Sequence, residues 1–159
     1  MNNSCSFLDG LNKSLAPKEW VEFAKKTNSH MGPIWLVDDP SLPRSLRVDV
    51  QIFVNIGSAY WENYRLLGAS SYEEAVVFRF LHEIGHIASG HTGDPELEIG
   101  SKGISGEFQR RVRQTRIEDL LKDPHERQAW EYVRGIKRDR RQEFDCLLEA
   151  FKIWLISNR

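Results

Sequence analysis

The densest apolar stretch of the chain runs through Ala75-Val76-Val77-Phe78 and on to Phe80, Leu81, Ile84, Ile87 and Ala88. These positions are apolar on most sides of a helix, and such a helix is largely buried. Ser70 and Ser71 precede Glu73 and Glu74 at the spacing of two overlapping capping boxes, and Gly90 stands where such a helix would end. The pattern therefore predicts a buried helix over residues 71–89. Upstream, Pro17 suits the first turn of a shorter helix with a core-packing stripe at Trp20, Phe23 and Ala24 and with Lys25 and Lys26 near its end. Residues 1–13 read as a loose polar lead-in. The run Ile34-Trp35-Leu36-Val37, bounded by Gly32-Pro33 and by Asp38-Asp39-Pro40, predicts a buried strand. From Leu46 to Ile56 apolar residues alternate with Arg47, Asp49, Gln51 and Asn55, which predicts one half-buried strand with Phe53 as the apolar exception on its polar face. Residues 59–67 fit neither period and leave a strand or a short helix open.

Past Gly90 the chain breaks at His91-Thr92-Gly93-Asp94-Pro95, and Gly100, Gly103 and Gly106 thin out a long connection. A helix is expected over residues 107–121. Asp123 as N-cap and Pro124 at the first helical position open another through Ala129, Trp130 and Val133, with Gly135 as a weak point. The last helix, over residues 139–157, places Phe144, Leu147, Leu148, Phe151, Trp154 and Leu155 at helical spacing and packs on the core. The expected class is α+β: one domain over residues 1–159, with a short mixed or antiparallel sheet packed on the 71–89 helix and a helical C-terminal half.

Composition narrows the function. A chain of 159 residues can bury about 70% of its unfolded surface, enough for one sizeable core. With 40% hydrophobic residues, 28% charged residues and a net charge of −1, nothing global points to nucleic acid or to a membrane. Cys5 and Cys146 lie far apart and form neither a zinc ribbon nor a disulfide framework, which fits a reducing compartment. No basic stretch followed by an apolar one opens the chain, and no apolar run reaches the length of a membrane span. The expected setting is cytoplasmic.

Chemistry concentrates in His82-Glu83-Ile84-Gly85-His86, an H-E-x-x-H sequence inside the predicted buried helix. Histidines four apart stand one turn above one another and can share a cation, and the intervening glutamate can take a proton from a water activated there. Three polar groups on a buried helix need a partner, and a divalent cation supplies one. Zinc in a hydrolytic site takes three protein ligands and keeps a position for water. His91 would point about 140° away from His86 on a continuous helix, and Glu96 and Glu98 would have to fold back across a loop. Glu126 is the favoured third ligand. It opens the helix after Asp123-Pro124-His125, and Ala129, three residues on, is slim enough to let that helix cross close to Gly85. Glu131 is the fallback, and His125 is expected to face solvent.

The segment His82 to His91 followed by Glu126-Arg127-Gln128-Ala129-Trp130-Glu131-Tyr132-Val133 resembles the ImmA/IrrE-type zinc metallopeptidases. These carry H-E-x-G-H on one helix and E-x-x-A-x-x-F-A on a later one. The resemblance implies a zincin-like domain in which His82, His86 and Glu126 bind zinc and Glu83 is the general base. It also implies a regulatory protease that cuts a helix-turn-helix repressor. Tyr132 and Val133 stand where that family has phenylalanine and alanine. The group stabilising the oxyanion stays open among Tyr60, Tyr64, Tyr72 and several arginines, and an extended peptide could add to a strand within residues 46–56.

A rival reading is a non-proteolytic, zinc-containing interaction module. Residues 110–141 hold Arg110, Arg111, Arg113, Arg116, Arg134, Lys137, Arg138, Arg140 and Arg141, a basic face that could meet nucleic acid or an acidic partner. Interleaved acids such as Glu118, Asp119, Asp139 and Glu143 favour an ordinary solvated face instead.

Overall fold

A computed structural model describes residues 10–39, 45–48, 50–57, 61–90 and 122–158. In chain order the elements are β1 (Lys13–Leu15), α1 (Lys18–Thr27), β2 (Ile34–Val37), β3 (Leu46–Val48), β4 (Gln51–Asn55), α2 (Trp61–Leu66), α3 (Tyr72–Ala88), α4 (Pro124–Asp139) and α5 (Arg141–Ser157). The strands form a mixed sheet in the order β1-β2-β4-β3, so the class is α+β. No helix among the described residues is long and apolar enough to cross a membrane. The helix expected over residues 107–121 lies outside the described residues.

Two expectations about the sheet are corrected. The lead-in is not loose up to residue 13: Leu11 is buried, and Lys13, Ser14 and Leu15 pair antiparallel with Val37, Leu36 and Trp35. The Asn12 side chain adds a bond from Nδ2 to the Asp38 carbonyl at 3.1 Å. Residues 46–56 are also not one strand. The chain reverses between Val48 and Gln51, which face each other, while Arg47 pairs with Ile52 and Leu46 with Phe53. Directly opposed residues share a face of the sheet, so the reversal puts Arg47 on the face of Ile52 although the alternation had separated them. β4 lies between β3 and its parallel neighbour β2. Its residues Ile52, Phe53, Val54 and Asn55 are all buried, which is why Phe53 is apolar.

The central element is α3. The Ser71 Oγ accepts from the Glu74 amide at 3.1 Å, and Glu74 Oε1 reaches back to the Ser70 amide at 3.3 Å. This is the reciprocal arrangement the two serines foreshadow, shifted by one residue. Gly90 follows the last turn at φ +76°, a left-handed conformation that glycine adopts without strain. The preceding segment resolves as the short helix α2, closed where the Gly68 and Ala69 amides return to the Arg65 and Tyr64 carbonyls.

Around α3 the core is continuous. Trp20 and Phe23 from α1, Ile34 and Leu36 from β2, Ile52 and Val54 from β4, Val133 from α4, and Phe144 and Phe151 from α5 join Val76, Phe80 and Leu81. The Trp20 indole stacks on Phe80 at 4.5 Å and donates to the Leu147 carbonyl at 2.9 Å, so its polar edge costs nothing in burial. Arg79 is 3% exposed and its Nη1 donates to the Asn55 and Gly57 carbonyls at 2.6 and 2.8 Å. It thereby ties α3 to the end of β4. Lys137 of α4 donates to Glu74 Oε1 at 2.7 Å and to the Gly68 carbonyl at 3.0 Å. Burial alone would raise the Glu74 carboxyl, but the bonds from Lys137 and Ser70 hold it below its usual range.

Asp123 caps α4 by accepting from the His125 amide at 2.8 Å, with Pro124 following. The helix runs on through Gly135, and the interruption falls instead at Arg140, which ends α4 and precedes α5.

Candidate metal centre

The position of every polar group in the site follows from how α3 and α4 meet. A Cβ at Gly85 would lie 2.9 Å from the Ala129 carbonyl oxygen, 3.1 Å from the Ala129 Cα and 3.3 Å from the Tyr132 Cβ. The helices therefore touch backbone to backbone at a glycine and an alanine. His82 stands three residues before Gly85 and His86 directly after it, and three residues before Ala129 stands Glu126. The His82 Nε2 lies 2.7 Å from Glu126 Oε2, and the His86 Nε2 lies 3.2 Å from Glu126 Oε1. One ligand atom from each residue falls within 4.8 Å of the others.

The donor set suits a divalent cation. Two imidazole nitrogens and one carboxylate are the hydrolytic zinc complement. Ligands each about 2.0–2.2 Å from one tetrahedral centre are roughly 3.3–3.6 Å apart, so the two histidine–glutamate separations, 2.7 and 3.2 Å, would open by a few tenths of an ångström to about 1 Å. All three side chains keep some exposure, 14%, 15% and 21% for His82, His86 and Glu126, which leaves a side open to solvent. Glu83 is buried at 8% exposure, and its Oε1 lies 3.7 Å from the His82 Nδ1. That distance permits attraction but is too long for a direct hydrogen bond.

Burial disfavours charge on His82, but the Glu126 and Glu83 carboxylates outweigh it and push the imidazole up to about 9. Burial likewise opposes ionisation of Glu126, and the bonds from His82 and His86 overcome it, holding the carboxyl far below the usual range. A proton and any cation held there would thus compete for the same nitrogen. In the metal-free protein the folded pKa of His82 lies above its ordinary 6.5, so the stability it confers is fully present below about pH 6.5 and is lost as pH rises through about 9. Zinc bound at the site would gain over the same interval because it would no longer displace a proton. The gap between zinc-saturated and metal-free melting temperatures should therefore widen by about 5 °C from pH 6.5 to 9. A gap that narrows with pH would contradict a shared atom.

The remaining candidates separate from the site. Glu131 and His125 are exposed, and neither joins the three-residue group. Tyr72 donates its hydroxyl to the Ile56 carbonyl and opens α3 ten residues before His82, about 15 Å along the helix axis. Tyr64 is half-buried, edge-on to Trp130 at 5.7 Å. His91, Glu96, Glu98, Tyr60 and Arg110 to Arg116 lie outside the described residues. The basic face is largely paired where it is described: Lys137 with Glu74, Arg138 with Asp139, Arg140 with Glu143 and Arg141 with Asp145. The residue that sequence reasoning passed over is Trp130, whose ring lies on His82. Its spacing of four from Glu126 was the available signal.

No protein-family model, no curated protein and no solved structure matches the chain.

Proposed function

We propose that the protein is a zinc-dependent peptidase of the ImmA/IrrE type that its sequence resembles, with α3 as the catalytic helix of a zincin-like domain. In this reading His82, His86 and Glu126 hold the ion and Glu83 is the general base. The observation that carries it is the convergence of one ligand atom each from His82, His86 and Glu126 within 4.8 Å beside a second, buried carboxylate, that of Glu83. Bound there, zinc supplies Lewis acidity, acidifying a water molecule and polarising the scissile carbonyl.

The chain's own residues do the rest. Glu126 comes from a different helix than the histidines, so the ligand set closes only when α3 and α4 are packed. Glu83 accepts the proton of the attacking water at a carboxylate oxygen and returns it to the leaving amine. An extended peptide would pair with a free sheet edge. β4 lies inside the sheet, so among the described residues of 46–56 it is β3 that lies at an edge. The substrate in this reading is a protein in the cytoplasm, and the family resemblance suggests a helix-turn-helix repressor.

The test uses the full chain with stoichiometric zinc and an unstructured protein such as a casein, with new termini read by mass spectrometry. Cleavage that stops in chelator, returns with zinc and is lost together with zinc in Glu126→Ala supports the reading. Absence of new termini from zinc-loaded protein overturns it.

A further inference from the structure

Trp130 lies on α4 four residues after Glu126, one turn along the same face. Its indole lies nearly flat on the His82 imidazole, with centroids 4.3 Å apart and planes inclined by 16°. The side chain is 4% exposed, and its Nε1–H has no acceptor among the described residues. Tyr64 of α2 meets the same indole edge-on at 5.7 Å, and the Arg79 guanidinium covers Tyr64 at 4.8 Å. The indole is therefore held by a second aromatic ring as well as by the imidazole.

Histidines that bind a cation through one nitrogen usually have their ring plane fixed by a hydrogen bond at the other. For His82 the described acceptor facing Nδ1 is Glu83 Oε1 at 3.7 Å, beyond hydrogen-bonding reach. Glu83 is also the carboxylate that the peptidase reading needs free to exchange protons. Beyond the contact of its Nε2 with Glu126 at 2.7 Å, the atom that a cation would take, the ring is held by the indole face.

We propose that Trp130 is a positioning residue of the metal centre: its π face, rather than an in-plane hydrogen bond, sets the plane of the His82 ring and supports the positive charge that a cation induces on it. This inference rests on the metal-binding reading. An aromatic face attracts a positively polarised imidazole, and a flat stack restrains ring rotation while leaving both nitrogens uncommitted to it. Glu83 thereby keeps its oxygens for the reaction instead of spending one on orientation.

The test compares Trp130→Phe with Trp130→Leu in the full chain, with Trp130→Met in place of the leucine variant if that does not fold. Each metal-free protein is titrated with zinc against a chromophoric chelator and with cobalt(II), whose visible bands report ligand geometry. The phenylalanine variant keeps an aromatic face and should bind zinc within about threefold of wild type, with unchanged cobalt bands. The aliphatic variant should bind about 10–100-fold more weakly, as expected for loss of a group that orients a ligand, and with altered bands. Equal binding by all the variants, or equal losses in the phenylalanine and aliphatic variants, overturns the role of the face while leaving the metal centre standing. Failure of wild type to bind zinc removes the metal centre and this inference with it.

Discussion

Glu83→Gln is expected to bind zinc with wild-type stoichiometry and to lose peptide cleavage by on the order of 10³-fold. Glutamine has the same shape, so the buried slot that leaves Glu83 only 8% exposed is filled without a cavity. Glu83 does not belong to the group formed by His82, His86 and Glu126, so its replacement leaves every proposed ligand in place. What disappears is the basic oxygen, because an amide cannot accept a proton from water near neutral pH. Single-turnover cleavage together with elemental analysis separates the two effects. An unchanged rate with zinc bound would show that Glu83 moves no proton.

The second large effect concerns the crossing of α3 and α4. Alanine normally improves a helix over glycine by about 1 kcal/mol. At residue 85 the added Cβ meets the Ala129 carbonyl oxygen at 2.9 Å and its Cα at 3.1 Å, and neither is a flexible end that can swing aside. Overpacking of this kind costs about 1–3 kcal/mol, so Gly85→Ala should be destabilising on balance and Gly85→Val more so. Because the helices must separate, Glu126 moves off His82 and His86 and zinc affinity should fall with stability. Gly135 is the control. No atom of the described residues lies within 4 Å of a Cβ there, so Gly135→Ala should stabilise the fold by about 0.5–1 kcal/mol and leave zinc binding alone. Denaturant unfolding of the variants decides it: equal responses at the two positions would mean that the close crossing does not exist in solution.

The crossing was legible in the sequence because two of its ingredients are local. Gly85 between two histidines and Ala129 three residues after Glu126 are small residues on faces that carry chemistry. The ends of both helices were legible too, since Ser71 and Asp123 accept backbone amides within three residues of themselves. What escaped was set by partners distant in sequence. β1 is three residues long, and Leu15 is 59% exposed; only its pairing with β2 makes it a strand. The reversal at residues 48–51 was hidden because two short strands either side of a tight turn imitate one alternating run. Trp130 was visible as a core residue, but its stack on His82 depends on the angle at which the helices cross, which no pattern in either helix encodes.

Lys137 and Glu126 sit near opposite ends of α4, and each is engaged with α3. The Lys137 clasp on Glu74 and Gly68 involves neither histidine, whereas the Glu126 clasp needs a proton, or a bound cation in the metal reading, between it and the histidines. The two helices run antiparallel, so loss of the second clasp releases the start of α4 while its far end stays anchored. Local opening should therefore be graded along one helix, easiest in the turn that carries Glu126 and hardest toward Lys137. Occupancy of the site would then be felt in the mobility of the first turn of α4 as well as in the melting temperature.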